Sequence, residues 1–171
     1  MSDGGKFTCF FICLLMRLSY VLASNEESLA EEKAYPRIAV CGIVFFEDEV
    51  LFLKRNFQPY LWCPPCGGLR KNEKLLDGLR REIREEAGIE VEPALPVHVW
   101  QGCHDDEEIL SITYTCKAFS RDIRLSREHS DFRWIPIKSL SSFSDQTDFD
   151  VSKWSIFLKL HQMFLSGELS I

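Results

Sequence analysis

The chain has 171 residues, of which 46% are hydrophobic and 12% aromatic, and this is enough to bury the core of one compact domain. Its formal net charge is −6 at pH 7, which argues against a protein that binds nucleic acid non-specifically through basic patches. The charge does not exclude a nucleotide as substrate, because a bound metal ion could supply the positive charge.

Residues 1–34 are predicted to be an N-terminal extension. Lys6 precedes an apolar run, Phe7 to Met16, and Ala23 suits a small-residue cleavage site, so this part has the shape of a secretory signal. The apolar run is too short to span a membrane, and a polar, acidic linker follows it. Two interpretations stay open: a dispensable extension of a cytoplasmic protein, or a signal or membrane-proximal segment formed by residues 7–23.

Residues 35–171 are predicted to form one domain of α/β order. Apolar runs predict strands, and an acidic turn joins the first two strands into a hairpin. The predicted strands are 38–46, 50–54, 90–101, 109–119 and 131–137. The run from Asp105 to Glu108 is predicted to be an acidic turn between two of them.

The segment from Asp150 to Leu165 predicts an amphipathic helix that closes the domain. Five side chains lie near one face of it at helical spacing: Val151, Trp154, Phe157, Leu158 and His161. His161 is expected at the helix surface or at the edge of the core, rather than as a metal ligand.

The region between the second and third predicted strands fits the pattern G-x5-E-x7-R-E-U-x-E-E-x-G-U, in which U is a bulky aliphatic residue. The fixed positions are Gly67, Glu73, Arg81, Glu82, Ile83, Glu85, Glu86, Gly88 and Ile89. Residues 73–87 are predicted to form a helix, with Asn72 as N-cap and Gly88 ending it in the left-handed conformation. A core-facing apolar stripe recurs at helical intervals, at Leu76, Leu79, Ile83 and Ala87.

Glu82, Glu85 and Glu86 form a second stripe, because residues at i, i+3 and i+4 share one face of a helix. The carboxylates repel one another and two lie in the last turn, where the helix dipole prefers cations. A divalent cation would relieve both penalties, and oxygen ligands suit Mg²⁺ or Mn²⁺ rather than Zn²⁺. Arg81 stands one turn before Glu85 and is expected to pair with it. A solvated, charged surface helix is the alternative.

Gly67 and Gly68 follow two prolines and predict a sharp loop in which the backbone can approach a ligand closely. Glu73 could hold that loop by hydrogen bonds at the start of the helix. Lys54 and Arg55 end an apolar strand and could balance phosphate charge, although a solvated strand end is the alternative.

The motif resembles the signature of the Nudix hydrolases, and the resemblance covers about residue 35 to the C-terminus. It implies an α/β fold of the Nudix type, an α/β/α sandwich around a mixed β-sheet. It also implies a pyrophosphohydrolase that uses Mg²⁺ (or Mn²⁺) to cleave a nucleoside diphosphate linked to another group. Carried over by position, Glu82, Glu85 and Glu86 would be metal ligands, and Arg81 would orient a carboxylate.

Two further segments agree with this resemblance. Residues 62–68, WCPPCGG, resemble the lead-in W-x-x-P-G-G, with Cys66 where the first glycine usually stands. Residues 125–140 resemble a second segment, E-H-x-x-x-x-W, whose Glu approaches the metal. Glu128 is therefore a candidate ligand or general base, with an ordinary surface residue as the alternative, and Glu82 is the other candidate base.

The seven cysteines are expected to be reduced thiols of a cytosolic protein. Cys41 and Cys116 lie in predicted strands and are expected to be small buried hydrophobic residues. Cys63 and Cys66 form a C-x-x-C pair that Cys103 and His104 could extend into a zinc site, but no second C-x-x-C is present. Thiols are therefore favoured over zinc.

The motif leaves the substrate open. The short domain and the second segment favour a nucleoside triphosphate, while ADP-ribose, nucleotide sugars and capped RNA remain alternatives. A Nudix-fold nucleotide-binding domain without turnover is a different class, but such domains usually lack one motif carboxylate and none is missing here. The predicted partner is a small-molecule nucleotide and not a nucleic acid, and a homodimer stays open.

Overall fold

The computed structural model describes residues 36–104, 107–147 and 149–168. The predictions made for residues 1–34 lie outside these residues, as does the centre of the predicted acidic turn. Within the described part, no helix combines the length and the apolar character needed to cross a membrane.

The described chain forms seven strands, two α-helices and two short 3-10 helices. The strands are β1 (Arg37–Phe46), β2 (Glu49–Arg55), β3 (Trp62–Cys63), β4 (Cys66–Gly68), β5 (Val91–His104), β6 (Glu107–Ala118) and β7 (His129–Pro136). The α-helices are α1 (Leu75–Ala87) and α2 (Trp154–Leu165). The 3-10 helices are Ile137–Ser142 and Ser144–Gln146. Each predicted strand and the closing helix are present, with ends shifted by at most four residues.

The seven strands form one mixed sheet, as the family resemblance implies. Its main order is β3-β2-β1-β6-β5, while β4 pairs with β1 and β7 pairs with β2. β1 runs parallel to β6, and every other pairing is antiparallel. The predicted hairpin joins β1 to β2 through Glu47, whose φ of 54° lies in the left-handed region.

The two α-helices cover opposite faces of the sheet, because successive side chains of a strand point to opposite sides. Val40 and Val44 of β1 belong to the core cluster that contains α1, whereas Ile43 and Phe45 belong to the cluster that contains α2. Both halves of the core are nearly inaccessible, with exposures of 0 to 2% for these four residues. The domain is therefore an α/β/α sandwich.

Helix α1 begins two residues later than the sequence pattern predicts. Asn72 is not its N-cap but occupies the left-handed region at φ 63°, in a turn where the Glu73 N–H donates to the Arg70 carbonyl at 3.0 Å. Lys74 takes the N-cap position. The predicted end is confirmed, since Gly88 has φ 70° and its N–H donates to the Arg84 carbonyl.

The apolar stripe of α1 is confirmed at three of its four positions. Leu79, Ile83 and Ala87 are fully buried, but Leu76 is 37% exposed. Leu75, the first residue of the helix, packs against the core instead of Leu76.

His161 lies deeper than the sequence pattern predicts. It is 3% exposed and its ring packs against Phe45 with 5.4 Å between ring centroids. Within the described part of the chain neither ring nitrogen has a hydrogen-bond partner. Burial lowers the pKa of His161, so the ring stays neutral in the core.

Cys41 of β1 and Cys66 of β4 form a disulfide. The two residues stand directly opposite each other in the antiparallel pair. The expectation of reduced thiols is therefore wrong at these positions, and Cys66 cannot be a zinc ligand. Cys116 is buried as expected, and burial raises the pKa of its thiol.

Candidate active site

Arg81 is the centre of the polar network on helix α1. Its side chain is 9% exposed, and its guanidinium lies 2.7 Å from both carboxylate oxygens of Glu73. The same group donates to the Gly68 carbonyl at 3.1 Å, so it ties the loop before α1 to the helix. The guanidinium holds the pKa of Glu73 at about 2, helped by the Arg70 N–H.

Arg81 also contacts two of the three predicted metal ligands. Its Nη1 lies 2.6 Å from Glu82 Oε1 and 3.0 Å from Glu85 Oε2. The expected pairing of Arg81 with Glu85 is therefore present, and the hydrogen bond to Glu73 is the largest of the influences that raise the pKa of Arg81. One guanidinium thus orients three carboxylates.

Glu82 is packed against the glycine that starts the motif. Its side chain is 14% exposed, and a Cβ on Gly67 would meet the Glu82 carboxylate carbon at 2.1 Å. Only a residue without a side chain allows this approach. Strand β4 therefore places its backbone directly against one of the candidate ligands.

Glu86 is the most buried of the carboxylates, with 6% exposure. Its Oε2 accepts the Cys66 N–H at 3.1 Å. The pKa of Glu86 is raised to about 8, mainly by burial. The neighbouring Glu82 and Glu128 carboxylates add to this rise, and the Cys66 N–H and Arg55 oppose it. The charged form of Glu86 is therefore disfavoured in the metal-free protein.

Glu85 differs from the other two because guanidinium groups hold it on both sides. Arg70 Nη2 lies 2.9 Å from Glu85 Oε1 and Arg81 reaches the other oxygen. Burial would raise the pKa of Glu85, but the two arginines lower it. As they stand in the described residues, no three His, Cys or acidic side chains converge closely enough to hold a metal ion.

Glu128 and Arg55 approach the same end of α1 from the sheet. The Glu128 carbonyl accepts the Asn56 N–H at 2.8 Å, which joins the turn before β7 to the residue after β2. Both side chains act electrostatically on Glu86. Lys54 instead places its ammonium 5.9 Å from the centroid of the Trp62 ring.

The sequence did not predict three residues of this network as site residues. Glu73 was expected only to hold the loop, which it does by accepting the Arg70 N–H at 2.9 Å. Arg70 and Cys66 act on Glu85 and Glu86 across 15 and 20 residues of sequence. No helical or strand spacing connects such distant positions, so the sequence predicted the loop itself but not these two contacts.

The donor set fits a hard divalent cation. Glu82, Glu86 and Glu128 supply oxygen atoms alone, which Mg²⁺ and Mn²⁺ prefer. The raised pKa of Glu86 reflects a buried carboxylate beside two others, and a cation would stabilise its charged form. Glu85 would bind the same cation only if it gave up its contact with Arg70 or Arg81.

A mixed sheet lies between two helices, and the helix on one face carries the carboxylates between two loops. This arrangement defines the class of the domain. A NUDIX domain family model matches residues 35–157, so the chain belongs to the Nudix family. The expectation of a Nudix hydrolase is confirmed at this level.

One curated relative is the nucleoside triphosphatase NudI of Klebsiella pneumoniae (strain 342). It is 26% identical to this chain, and the match covers 63% of this chain and 86% of the relative. The corresponding enzyme of Escherichia coli O17:K52:H18 (strain UMN026 / ExPEC) is 28% identical, with 61% and 84% covered. The chain thus spans most of the length of these relatives.

A solved structure, the MutT protein from Methanosarcina mazei Go1, superposes with a TM-score of 0.64. It is 24% identical, and the match covers 76% of this chain and 97% of that one. At this identity the likeness shows the fold, and it confirms the expected Nudix-type α/β/α sandwich.

Proposed function

We propose that this protein is a metal-dependent pyrophosphohydrolase that cleaves a nucleoside diphosphate linked to another group. The observation that carries the proposal is the buried Glu86 beside Glu82 and Glu128, with its pKa raised to about 8. Arg55 lowers that pKa without bringing it back to its ordinary value, so a metal ion held among these carboxylates would stabilise the charged form of Glu86.

In this proposal Glu82, Glu85 and Glu86 hold Mg²⁺ or Mn²⁺, and Glu85 gives up its contact with Arg70 or Arg81 to do so. The cation, when bound, neutralises phosphate charge and lowers the pKa of a water molecule. Gly67 and Gly68 bring backbone close to the substrate, and Arg55 and Lys54 balance phosphate charge. Glu128 or Glu82 accepts the proton of the attacking water.

We propose a nucleoside triphosphate as the substrate. The support is a relative that is a nucleoside triphosphatase. It is 26% identical to this chain, and the match covers 86% of its length. ADP-ribose and nucleotide sugars are the other substrates to compare, because the motif acts on the diphosphate and leaves the attached group to residues outside it.

A substrate panel with the full-length chain tests the proposal. Nucleoside triphosphates, ADP-ribose and nucleotide sugars are incubated with Mg²⁺ or Mn²⁺, and the products are separated by chromatography. We expect Glu82→Gln and Glu86→Gln to lose turnover while Glu90→Gln keeps it. Glu90 is a matched control because it lies four residues from Glu86 and its exposed side chain pairs with Arg84 at 3.6 Å. Normal turnover in both site variants would refute the assignment.

Glu128→Gln separates the two roles proposed for that residue. If Glu128 is the general base, the substitution lowers kcat and leaves the Mn²⁺ affinity unchanged. If it is a ligand, the Mn²⁺ affinity falls as well. Unchanged values of both would show an ordinary surface residue.

We also propose that the catalytic domain begins near residue 35. The family match starts at that residue, and a compact unit begins at Pro36. Deleting residues 1–34 is expected to leave kcat and KM unchanged, and a loss of turnover in a folded deletion variant would contradict this boundary.

A further inference from the structure

The Cys41–Cys66 disulfide joins the central strand of the sheet to the start of the motif. Strand β4 has only three residues, and its three register pairs with β1 are Ala39–Gly68, Val40–Gly67 and Cys41–Cys66. The disulfide crosses the last of these pairs. A covalent bond thus secures a strand that has few backbone contacts of its own.

Cys66 is also the residue that holds Glu86. Its N–H donates to Glu86 Oε2 at 3.1 Å, and the next residue, Gly67, lies against the Glu82 carboxylate. The disulfide and the donor therefore belong to one residue. Any displacement of Cys66 moves the N–H that faces the most buried carboxylate of the site.

We propose that the Cys41–Cys66 disulfide is a redox-reversible positioning element of the active site. In the oxidised form it fixes the Cys66 N–H against Glu86 and keeps Gly67 against Glu82. In the reduced form β4 is held by its hydrogen bonds alone, including those to Glu86 and Arg81, and both carboxylates are oriented less firmly. The inference rests on the proposed function only through the role of Glu86 as a metal ligand.

The redox step is a thiol–disulfide exchange with a dithiol. A thiolate of the dithiol attacks the sulfur of Cys66, which is partly exposed whereas Cys41 is 4% exposed, and Cys41 leaves as thiolate. The second thiol of the dithiol then displaces Cys66. The dithiol becomes a disulfide and gives up two electrons, and the two cysteines take up two protons.

The experiment compares the oxidised full-length protein with the same protein reduced by dithiothreitol and desalted under argon. Calorimetry measures the binding of Mn²⁺ without substrate. Loss of one hydrogen bond to a carboxylate predicts an affinity about three- to tenfold weaker in the reduced protein. We also expect the Tm to fall by roughly 10 °C, because the disulfide closes a loop of the unfolded chain.

Two variants control this comparison. Cys41→Ser removes the disulfide but leaves the backbone N–H of Cys66 in place. We expect it to bind Mn²⁺ with the affinity of the reduced protein, and we expect dithiothreitol not to change that affinity. Cys103→Ser removes an exposed thiol outside the pair and is expected to respond like the natural chain. If Cys41→Ser does not fold, the reduced natural chain supplies the same comparison.

Peptide mapping without reductant identifies the pair directly. Trypsin should yield residues 38–54 linked to residues 56–70, and fragmentation must place the link on Cys66 rather than on Cys63 of the same peptide. A link elsewhere, or none, overturns the inference.

Equal Mn²⁺ affinity in the oxidised protein, the reduced protein and Cys41→Ser also overturns it, even if the Tm falls, because the disulfide would then serve stability alone. Absence of hydrolysis across the substrate panel with a redox-dependent Mn²⁺ affinity would refute the proposed function and leave the positioning role supported.

Discussion

Arg81 and Glu73 form a two-point ion pair in which Nε and Nη2 each lie 2.7 Å from a carboxylate oxygen. The pair joins the middle of α1 to the turn before it, and the remaining Nη1 is left to orient Glu82 and Glu85. A planar guanidinium can serve all three carboxylates because its donors point in fixed directions.

Arg81→Lys is expected to lower both turnover and stability. An ammonium is a point charge and cannot replace the two-point contact with Glu73 while it also orients Glu82. We predict a loss of kcat/KM on the order of 10- to 100-fold and a Tm lower by roughly 5–10 °C. Steady-state kinetics and thermal melts measure the two effects.

Arg80→Lys is the matched control for this change. Arg80 is the preceding residue, its side chain is 42% exposed, and it pairs with Asp77 at 3.8 Å. It should keep its kinetics and its Tm, since exposed pairs contribute little to stability. Equal behaviour of the two variants would contradict the central role of Arg81.

Gly67→Ala is expected to remove activity with little change in the fold. The new Cβ would stand 2.1 Å from the Glu82 carboxylate carbon, so that carboxylate must move. Gly68→Ala is the comparison, because its Cβ would meet the guanidinium of Arg37, which is the far end of a flexible and exposed side chain. Kinetics should show a much larger loss for Gly67→Ala, and equal losses would refute the packing argument.

Local rules predicted the parts of this site that lie close together in sequence. Helical spacing predicted the contact between Arg81 and Glu85. Gly88 ends α1 as predicted, because a residue without a side chain adopts the left-handed conformation easily. The apolar runs predicted the strands because burial on two faces leaves a continuous hydrophobic pattern.

The remaining contacts depend on which strands pair and in which register. Cys41 meets Cys66 because β4 lies antiparallel to β1, and no local pattern specifies that pairing. The expectation of reduced thiols was wrong for this reason. The contact of Arg70 with Glu85 depends likewise on the path of the loop before α1, which local spacing does not reveal.

Arg70→Ala is expected to strengthen the binding of Mn²⁺. Arg70 Nη2 competes for Glu85 Oε1 at 2.9 Å, and it places a positive charge beside the proposed cation site. Removing it should tighten Mn²⁺ by about two- to threefold at low ionic strength, and less in high salt because the arginine is exposed. Calorimetry at two salt concentrations measures this. A weaker affinity would mean that Arg70 orients Glu85 for the metal.

Glu86 is expected to make the stability of the metal-free protein depend on pH. Its pKa is raised from 4.5 to about 8 on folding, mainly by burial, so the folded state binds more protons than the unfolded state between these values. Stability therefore falls as pH rises through this window. Burial lowers the pKa values of His129 and His161. These two residues therefore make stability rise with pH near and below pH 6.5.

The range from pH 6.5 to 8 is consequently the clearest window for Glu86. Urea unfolding with a chelator present should show the natural chain losing stability across this range relative to Glu86→Gln, which has no proton to lose. Saturating Mn²⁺ should abolish this slope, because the metal keeps the folded carboxylate charged and neither state then binds a proton at Glu86 in this range. Parallel curves for the two chains without metal would mean that Glu86 is already charged at neutral pH.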